Sequence, residues 1–390
     1  MKLISAILIA VCLFYGNIQA QSVDTGNATR DRKTISLGPA GQDAVSCDLR
    51  MERPFQIDVS RDGKERQFPF VYKFGKNIFV SYSEHPDKVL ASPTDALMIS
   101  RNNGKTWKRK IENKDFYITS MVKKKGILYA IVYFTYPVSK KEEKMIYWTS
   151  KDMGDNWEKH EGQVIGPDSL AFGTHRGIWG SMLFHRGMTV TKDGAIEGVM
   201  YGHIGKEKKY TTVLVRSTDN CATWNIVSVI AAGVPSDAFQ KAEGYCEPTL
   251  IKVRDGSLLC VMRIGSYLPL FQSRSLDEGK TWSTPVALPG LSQVAAQSVC
   301  PELLLLKNGV LALTYGRPYD RLAFSKDGSG YEWDCSSISY PDETTGYSGI
   351  VESSPGEILQ VSDQGRTGAK QMAIWGRFIK VMLRPARAVQ

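Results

Sequence analysis

Six times along the chain a short apolar run reaches a glycine turn and resumes as a second apolar run. The pattern reads "VYKFGKNIFVSY" around Gly75, "MVKKKGILYAIVY" around Gly126 and "MTVTKDGAIEGVMYG" around Gly194, then "LIKVRDGSLLCVMR" around Gly256, "LLLLKNGVLALTYGR" around Gly309 and "IVESSPGEILQVSD" around Gly356. Apolar runs of this length flanking Asp-Gly or Asn-Gly predict antiparallel hairpins, because glycine takes the positive φ that a tight turn requires.

Most hairpins are followed by a second short element: "SRNNGKTW" at 100–107, "SKDMGDNW" at 150–157, "STDNCATW" at 217–224, "SLDEGKTW" at 275–282 and the stretched "SKDGSGYEW" at 325–333. Ser and Asp at these positions can close a turn on backbone amides, while the Trp packs between units. The turn glycines are spaced by 51, 68, 62, 53 and 47 residues, about the length of a four-stranded propeller blade. The expectation is an all-β, six-bladed β-propeller with Asp-box repeats. It forms a single domain over 35–390, with a strand from "PFQIDVS" completing the last blade.

Residues 1–20 lie apart from this pattern. Lys2, the apolar "LISAILIAVCLFYG" and "IQA" before Gln21 read as a cleavable signal peptide. A polar, flexible lead-in over 21–34 follows. Export predicts a secreted or periplasmic protein with no membrane span. Beyond Cys12 the cysteines are Cys47, Cys221, Cys246, Cys260, Cys300 and Cys335, which an oxidising compartment can bridge in fifteen ways. Their spacing matches no zinc signature, so neither metal nor cofactor is expected. The net charge is +9, but "KKK" at 123–125 and "KKEEK" at 140–144 read as solvated loops without the aromatic interleaving of a nucleic-acid surface. A monomer that binds no nucleic acid is expected.

Polar residues gather at the open ends of the hairpins. Residues equidistant from a turn face each other across the strands, which pairs Glu247 with Arg263, Tyr347 with Asp363, Glu302 with Arg317, Gln67 with Glu84 and His185 with Gly202. If the strand before each turn lines a central channel, these mouths converge on one end of the axis.

At these residues the chain resembles the sialidase superfamily. The tags are similar to its Asp-boxes, and "EPTLIKVRDGSLLCVMR" is similar to the segment linking the glutamate that activates the nucleophile to an arginine of the substrate-carboxylate clamp. The resemblance implies that Glu247 is the base, Arg263 and Arg317 are clamp residues, and Tyr347 in "TGYSGIVESSPGEILQVSD" is the nucleophile. It further implies an exported, exo-acting hydrolase that removes a terminal acidic sugar, sialic acid or a related keto-acid or uronate cap, from glycans. A neutral phenol suits that task, because the carboxylate borne by the anomeric carbon repels a second carboxylate approaching the oxocarbenium centre.

Two departures bear on one corner of the site. In "RQFPF" the family's first clamp arginine is replaced by Gln67, with Arg66 one residue off and on the opposite face of the strand. The glutamate supporting that arginine becomes Asp363. The acid for the leaving oxygen is expected in the loop after the first hairpin, at Asp87 in preference to Asp95. Asp115 and His175 are candidate substrate contacts. Two other readings compete: a glycan-binding propeller without turnover, and a rhamnosidase or uronate lyase using His175, His185 or His203 from the third hairpin unit, where "GTHRGIWGSMLFHRGM" is rich in His, Arg and Trp.

Overall fold

The computed structural model describes residues 46–85, 94–113, 115–167, 172, 174–175, 179–205, 207–291, 298–317, 319–365 and 373–384. The expected export segment and lead-in, residues 1–34, lie outside them, as does Asp87. All the described residues fall within one compact unit, Arg32–Gln390. Among them the regular elements are β-strands apart from one short 3-10 turn, Asp237–Phe239.

The strands form a propeller-like, all-β arrangement of antiparallel meanders. Three sheets have four strands each: one over Gln67–Phe74 to Lys108–Asn113, one over Cys246–Lys252 to Val286–Ala287, and one over Glu302–Leu305 to Cys335–Tyr340. A fourth sheet has eight strands, because the meander ending at Glu158–Ile165 and the one ending at Thr223–Ala231 pair in parallel at their outer strands. In the fifth sheet Ser348–Ser354, Glu357–Gln364 and Ala373–Val381 are completed by two strands from the chain start, Leu49–Met51 and Phe55–Val59, both paired with Ala373–Val381. The first strand of each meander contacts the first strand of the next, and Ser348–Ser354 contacts Gln67–Phe74.

Packing between meanders is apolar. Ile78 and Val80 meet Leu359 and Val361, Phe79 and Leu97 meet Leu128 and Ile146, and Leu259 meets Leu311. Each tag tryptophan enters a different cluster: Trp107, Trp157, Trp224, Trp282 and Trp333. The tag chemistry explains their placement. In the first tag Ser100 Oγ accepts the Gly104 amide at 2.8 Å and Asn102 Oδ1 accepts the Thr106 amide at 2.9 Å. The same two bonds recur from Ser150 and Asp152, Ser217 and Asp219, and Ser275 and Asp277. Cys221, standing where the other tags have glycine, takes the same left-handed backbone, φ 74°.

Four of the expected cross-strand pairs are displaced in register, three of them in ladders that carry a β-bulge, whereas Ser348 faces Ser362 in the register expected for Tyr347 and Asp363. Gln67 pairs with Ser83 rather than Glu84, ahead of a bulge before Phe70. Cys246 is opposite Arg263, with a bulge before Thr249, so that Glu247 sits in the bulge. Glu302 pairs with Thr314 rather than Arg317, and His185 with Val199 rather than Gly202. A bulge adds one residue to one strand and re-aims its side chain, which symmetric counting from the turn cannot see. "KKEEK" is likewise only partly solvated. Glu143 lies in the strand Glu142–Ser150 with no exposure, where its carboxylate accepts from the Ser181 amide at 2.6 Å and the Thr135 hydroxyl at 2.7 Å.

A disulfide joins Cys47, near the strand Leu49–Met51, to Cys335 at the start of Cys335–Tyr340. Cys221, Cys246, Cys260 and Cys300 are free and buried. Among the described residues no helix is long and apolar enough to cross a membrane.

Candidate active site

Four of the expected residues converge. Glu247 enters from the start of Cys246–Lys252, Arg263 from the end of Leu258–Arg263, Tyr347 from the residue before Ser348–Ser354, and Arg317 from the residue after Leu311–Gly316. The Tyr347 hydroxyl donates to Glu247 Oε1. Arg263 Nη1 donates to the same oxygen at 2.5 Å, and the Cys300 amide donates to Glu247 Oε2 at 2.8 Å. Three residues here hold left-handed backbone: Glu247 at φ 45°, Cys300 at φ 49° and Arg317 at φ 55°. Such conformations cost about 1–3 kcal/mol each and persist where surrounding contacts over-determine them.

The site has a buried floor and a solvent-facing edge. Glu247 and Arg263 are buried, whereas Tyr347, Arg317 and Ser266 are partly exposed. Ser266 Oγ joins the two arginines, accepting from Arg317 Nη1 at 2.8 Å and from Arg263 Nη2 at 3.2 Å. Arg317 Nε donates to the Thr345 carbonyl at 2.8 Å. The outer nitrogen of Arg263 also meets Glu243 Oε1 at 2.9 Å. Glu243, Ser266 and the Cys300 amide were not reached by sequence reasoning, since nothing in their spacing marks them.

Burial raises the Glu247 carboxyl, but the Arg263 guanidinium, with smaller contributions from His185, the Tyr347 hydroxyl and the Cys300 amide, holds it below its ordinary value. It is therefore ionised at neutral pH. Burial, and next the Glu247 charge, push the Tyr347 phenol well above its ordinary value, so the phenol keeps its proton until its oxygen forms a bond. The pair is a neutral phenol hydrogen-bonded to an ionised carboxylate that can accept its proton.

The first corner is built differently from the expected ligand contacts. Gln67 is fully buried and its side-chain amide donates to the His85 carbonyl. Asp363 is fully buried too, accepting from the Phe68 amide at 2.9 Å, the Thr345 amide at 2.8 Å and the Thr344 hydroxyl at 2.9 Å. Its shorter side chain thus ties the 344–346 loop that presents Tyr347. Phe68, at φ 57°, packs its ring against Tyr347 with centroids 4.6 Å apart. Arg66 faces away, pairing with Glu84 at 2.9 Å and Asp58 at 2.8 Å.

Asp95 opens the strand Asp95–Ser100 and is buried. Burial pushes its carboxyl up to about 8, against the lowering pull of the Phe116 and Tyr117 amides. The group is thus a protonated acid at neutral pH. Asp115 is committed elsewhere, with Lys159 at 2.8 Å and the Tyr136 hydroxyl at 3.4 Å. The backbone of His175 pairs with Trp179 in a two-residue ladder.

The His- and Arg-rich segment has a structural use. His185 is buried, its Nδ1 lies 2.8 Å from the Pro248 carbonyl, and desolvation pushes it down to about 4. Arg186 is fully buried and joins three meanders, with Ser348 O at 2.5 Å, Pro69 O at 3.1 Å and Glu302 at 3.2 Å. His203 stacks on Tyr210 with ring centroids 4.5 Å apart. Among the described residues no group of three or more His, Cys, Asp or Glu is placed to hold a metal ion.

Comparison with known proteins adds a family and a fold. Residues 126–358, more than half of the chain, match the model of the BNR repeat-like domain. No curated protein matches the chain by sequence. A protein of unknown function from Dyadobacter fermentans superposes with a TM-score of 0.66 at 16% identity, covering 85% of this chain and 99% of that one. An α-L-arabinanase from Penicillium chrysogenum, complexed with arabinobiose, gives 0.63 at 15% identity over 85% and 98%. A Trypanosoma rangeli sialidase in complex with a 2,3-difluoro sugar acid gives 0.56 at 15% identity, over 82% of this chain and 54% of that one. Likeness at such identities is one of fold. The chain belongs to the BNR repeat-like domain family, on the propeller-like fold that sialidases and arabinanases share.

Proposed function

We propose that the protein is an exported, exo-acting glycoside hydrolase that removes a terminal acidic sugar from glycans, with Tyr347 as nucleophile and Glu247 as its base. The observation that carries this reading is the Tyr347–Glu247 hydrogen bond, made between groups 100 residues apart in the chain. A structural tyrosine has no need of a buried carboxylate that is itself held by an arginine and a backbone amide.

The phenolic oxygen attacks the anomeric carbon as the glycosidic C–O bond breaks, and the phenolic proton passes to Glu247. An acid from the first-hairpin loop gives a proton to the leaving oxygen. Asp95 suits the role by its protonation state and Asp87 by its place in the sequence. Water then cleaves the tyrosyl–sugar bond, giving a proton to the carboxylate left by that acid, while Glu247 returns its proton to the departing phenolate. Arg317 addresses the acidic group of the sugar, with Arg263 beside it through the shared Ser266 hydroxyl. We read the eight-stranded sheet as two blades joined at their outer edges, which makes six blades in all. The Cys47–Cys335 bridge is in keeping with export to an oxidising compartment.

The test is a screen of the purified protein against acid-capped and rhamnose-capped glycans, read by product mass. Addition of water with release of one terminal sugar is expected. Glycan binding with no reducing sugar released over prolonged incubation would reject the hydrolase in favour of a binding protein. New ultraviolet absorbance from an unsaturated uronate would reject it in favour of a lyase.

A further inference from the structure

Arg263 carries two carboxylates on one guanidinium. Its Nη1 meets Glu247 at 2.5 Å and its Nη2 meets Glu243 at 2.9 Å. The two glutamates face different surroundings. The Glu247 side chain is 7% exposed and that of Glu243 44% exposed, so Glu247 lies beneath the guanidinium and Glu243 covers its solvent edge.

The backbone of Glu243 is held on both sides. Its amide donates to the Ile264 carbonyl at 2.8 Å, and its carbonyl accepts the Tyr210 amide at 2.9 Å. This clips the chain before Cys246–Lys252 to the residue that follows Arg263, and it fixes where the carboxylate can reach. Arg317, which shares Ser266 with Arg263, has no carboxylate within ion-pair distance among the described residues.

We propose that Glu243 is a specificity-determining residue whose carboxylate occupies the edge of Arg263 where an anionic group of the substrate would otherwise dock. This rests on the reading of Arg263 and Arg317 as the arginines that face the substrate. Two guanidiniums and two carboxylates leave these four side chains electrically balanced before a ligand arrives. An incoming carboxylate finds one guanidinium, Arg317, that holds only a carbonyl and a hydroxyl, and must displace Glu243 to gain the second. Paired hydrogen bonds from Arg263, the geometry that makes arginine selective for carboxylates, are withheld. The substrate class that fits is a sugar presenting a single anionic or hydroxyl group to Arg317. A sugar whose carboxylate must span both arginines fits poorly.

The experiment measures binding rather than turnover. N-acetylneuraminic acid, glucuronic acid and their methyl esters are titrated calorimetrically, at one ionic strength, into wild-type protein and the Glu243→Gln and Glu243→Ala variants, with folding checked by thermal melts. Both variants are expected to bind the acids at least about tenfold more tightly than wild type, the worth of one charge-assisted contact, while the esters shift less than about twofold. Equal shifts for acid and ester, or none in the acids, would overturn the proposal. So would the unfolding of both variants, which would make Glu243 a structural partner of Arg263. Absence of acid binding to every folded variant overturns it too, and leaves hydrolysis itself to be judged by the product screen.

Discussion

Replacing Tyr347 by phenylalanine deletes one oxygen and separates stability from chemistry. The ring keeps its packing against Phe68, and Glu247 keeps both Arg263 on Oε1 and the Cys300 amide on Oε2. No buried carboxylate oxygen is stranded, so the loss is that of one hydrogen bond to an ionised group, about 1.5–3 kcal/mol. In the proposed reaction the same atom is the nucleophile, and its removal is expected to slow turnover by on the order of 10³-fold or more. At about 1.4 kcal/mol per factor of ten, that is at least about 4 kcal/mol of barrier, above the cost in stability. The assay pairs initial rates on an aryl glycoside of the sugar released in the screen with urea denaturation of the same preparation. A 2-fluoro analogue of that sugar should add its mass to the Tyr347 peptide of wild type and to no peptide of the variant. Undiminished turnover in Tyr347→Phe, or label on another residue, would refute the assignment.

Arg317→Ala should raise KM for an acidic substrate about ten- to a hundredfold, through loss of a charge-assisted contact, and leave a neutral analogue little changed in the same kinetic comparison. Asp95 binds its proton more tightly in the folded state, so its contribution is complete below its ordinary value of 3.8 and declines as pH rises toward about 8. Wild-type Tm should therefore fall between pH 5 and 8, where the ionising carboxyl costs at most about 1.4 kcal/mol per pH unit, and Asp95→Asn should flatten that fall; parallel profiles would count against a buried neutral acid. Cys47→Ser should lower stability by about 2–5 kcal/mol, read as a lower urea midpoint that reductant reproduces in wild type and does not deepen in the variant.

The hairpins and tags were legible because they are local. Gly104 and Gly154 take the left-handed turn and Ser100 and Ser150 bind the amides four residues on, which is chemistry written within one short stretch. Glu247, Arg263, Arg317 and Tyr347 stand near strand ends at recognisable distances from a turn or tag, and the resemblance to the sialidase superfamily singled them out among the polar groups there. The first corner was harder to read. Gln67 and Asp363 stand where ligand contacts were expected, yet both are buried against protein partners, and nothing in "RQFPF" or "VSD" tells a buried amide from one facing a ligand.

Alternation of residue type and turn chemistry act over a few neighbours, and so the chain by itself determined the strands, their repeat and which polar groups end them. Which of those groups meet was left to packing. Tyr347 reaches Glu247 across 100 residues, Cys300 reaches it across 53, and Arg317 reaches Ser266 across 51. Single-residue bulges decide which side chains face inward, and Glu243 acquires its place on Arg263 only once Ile264 and Tyr210 clip its backbone. Contacts between distant segments depend on how the sheets pack and where each strand takes an extra residue, quantities summed over the whole tertiary structure and spelled out in no single stretch of sequence.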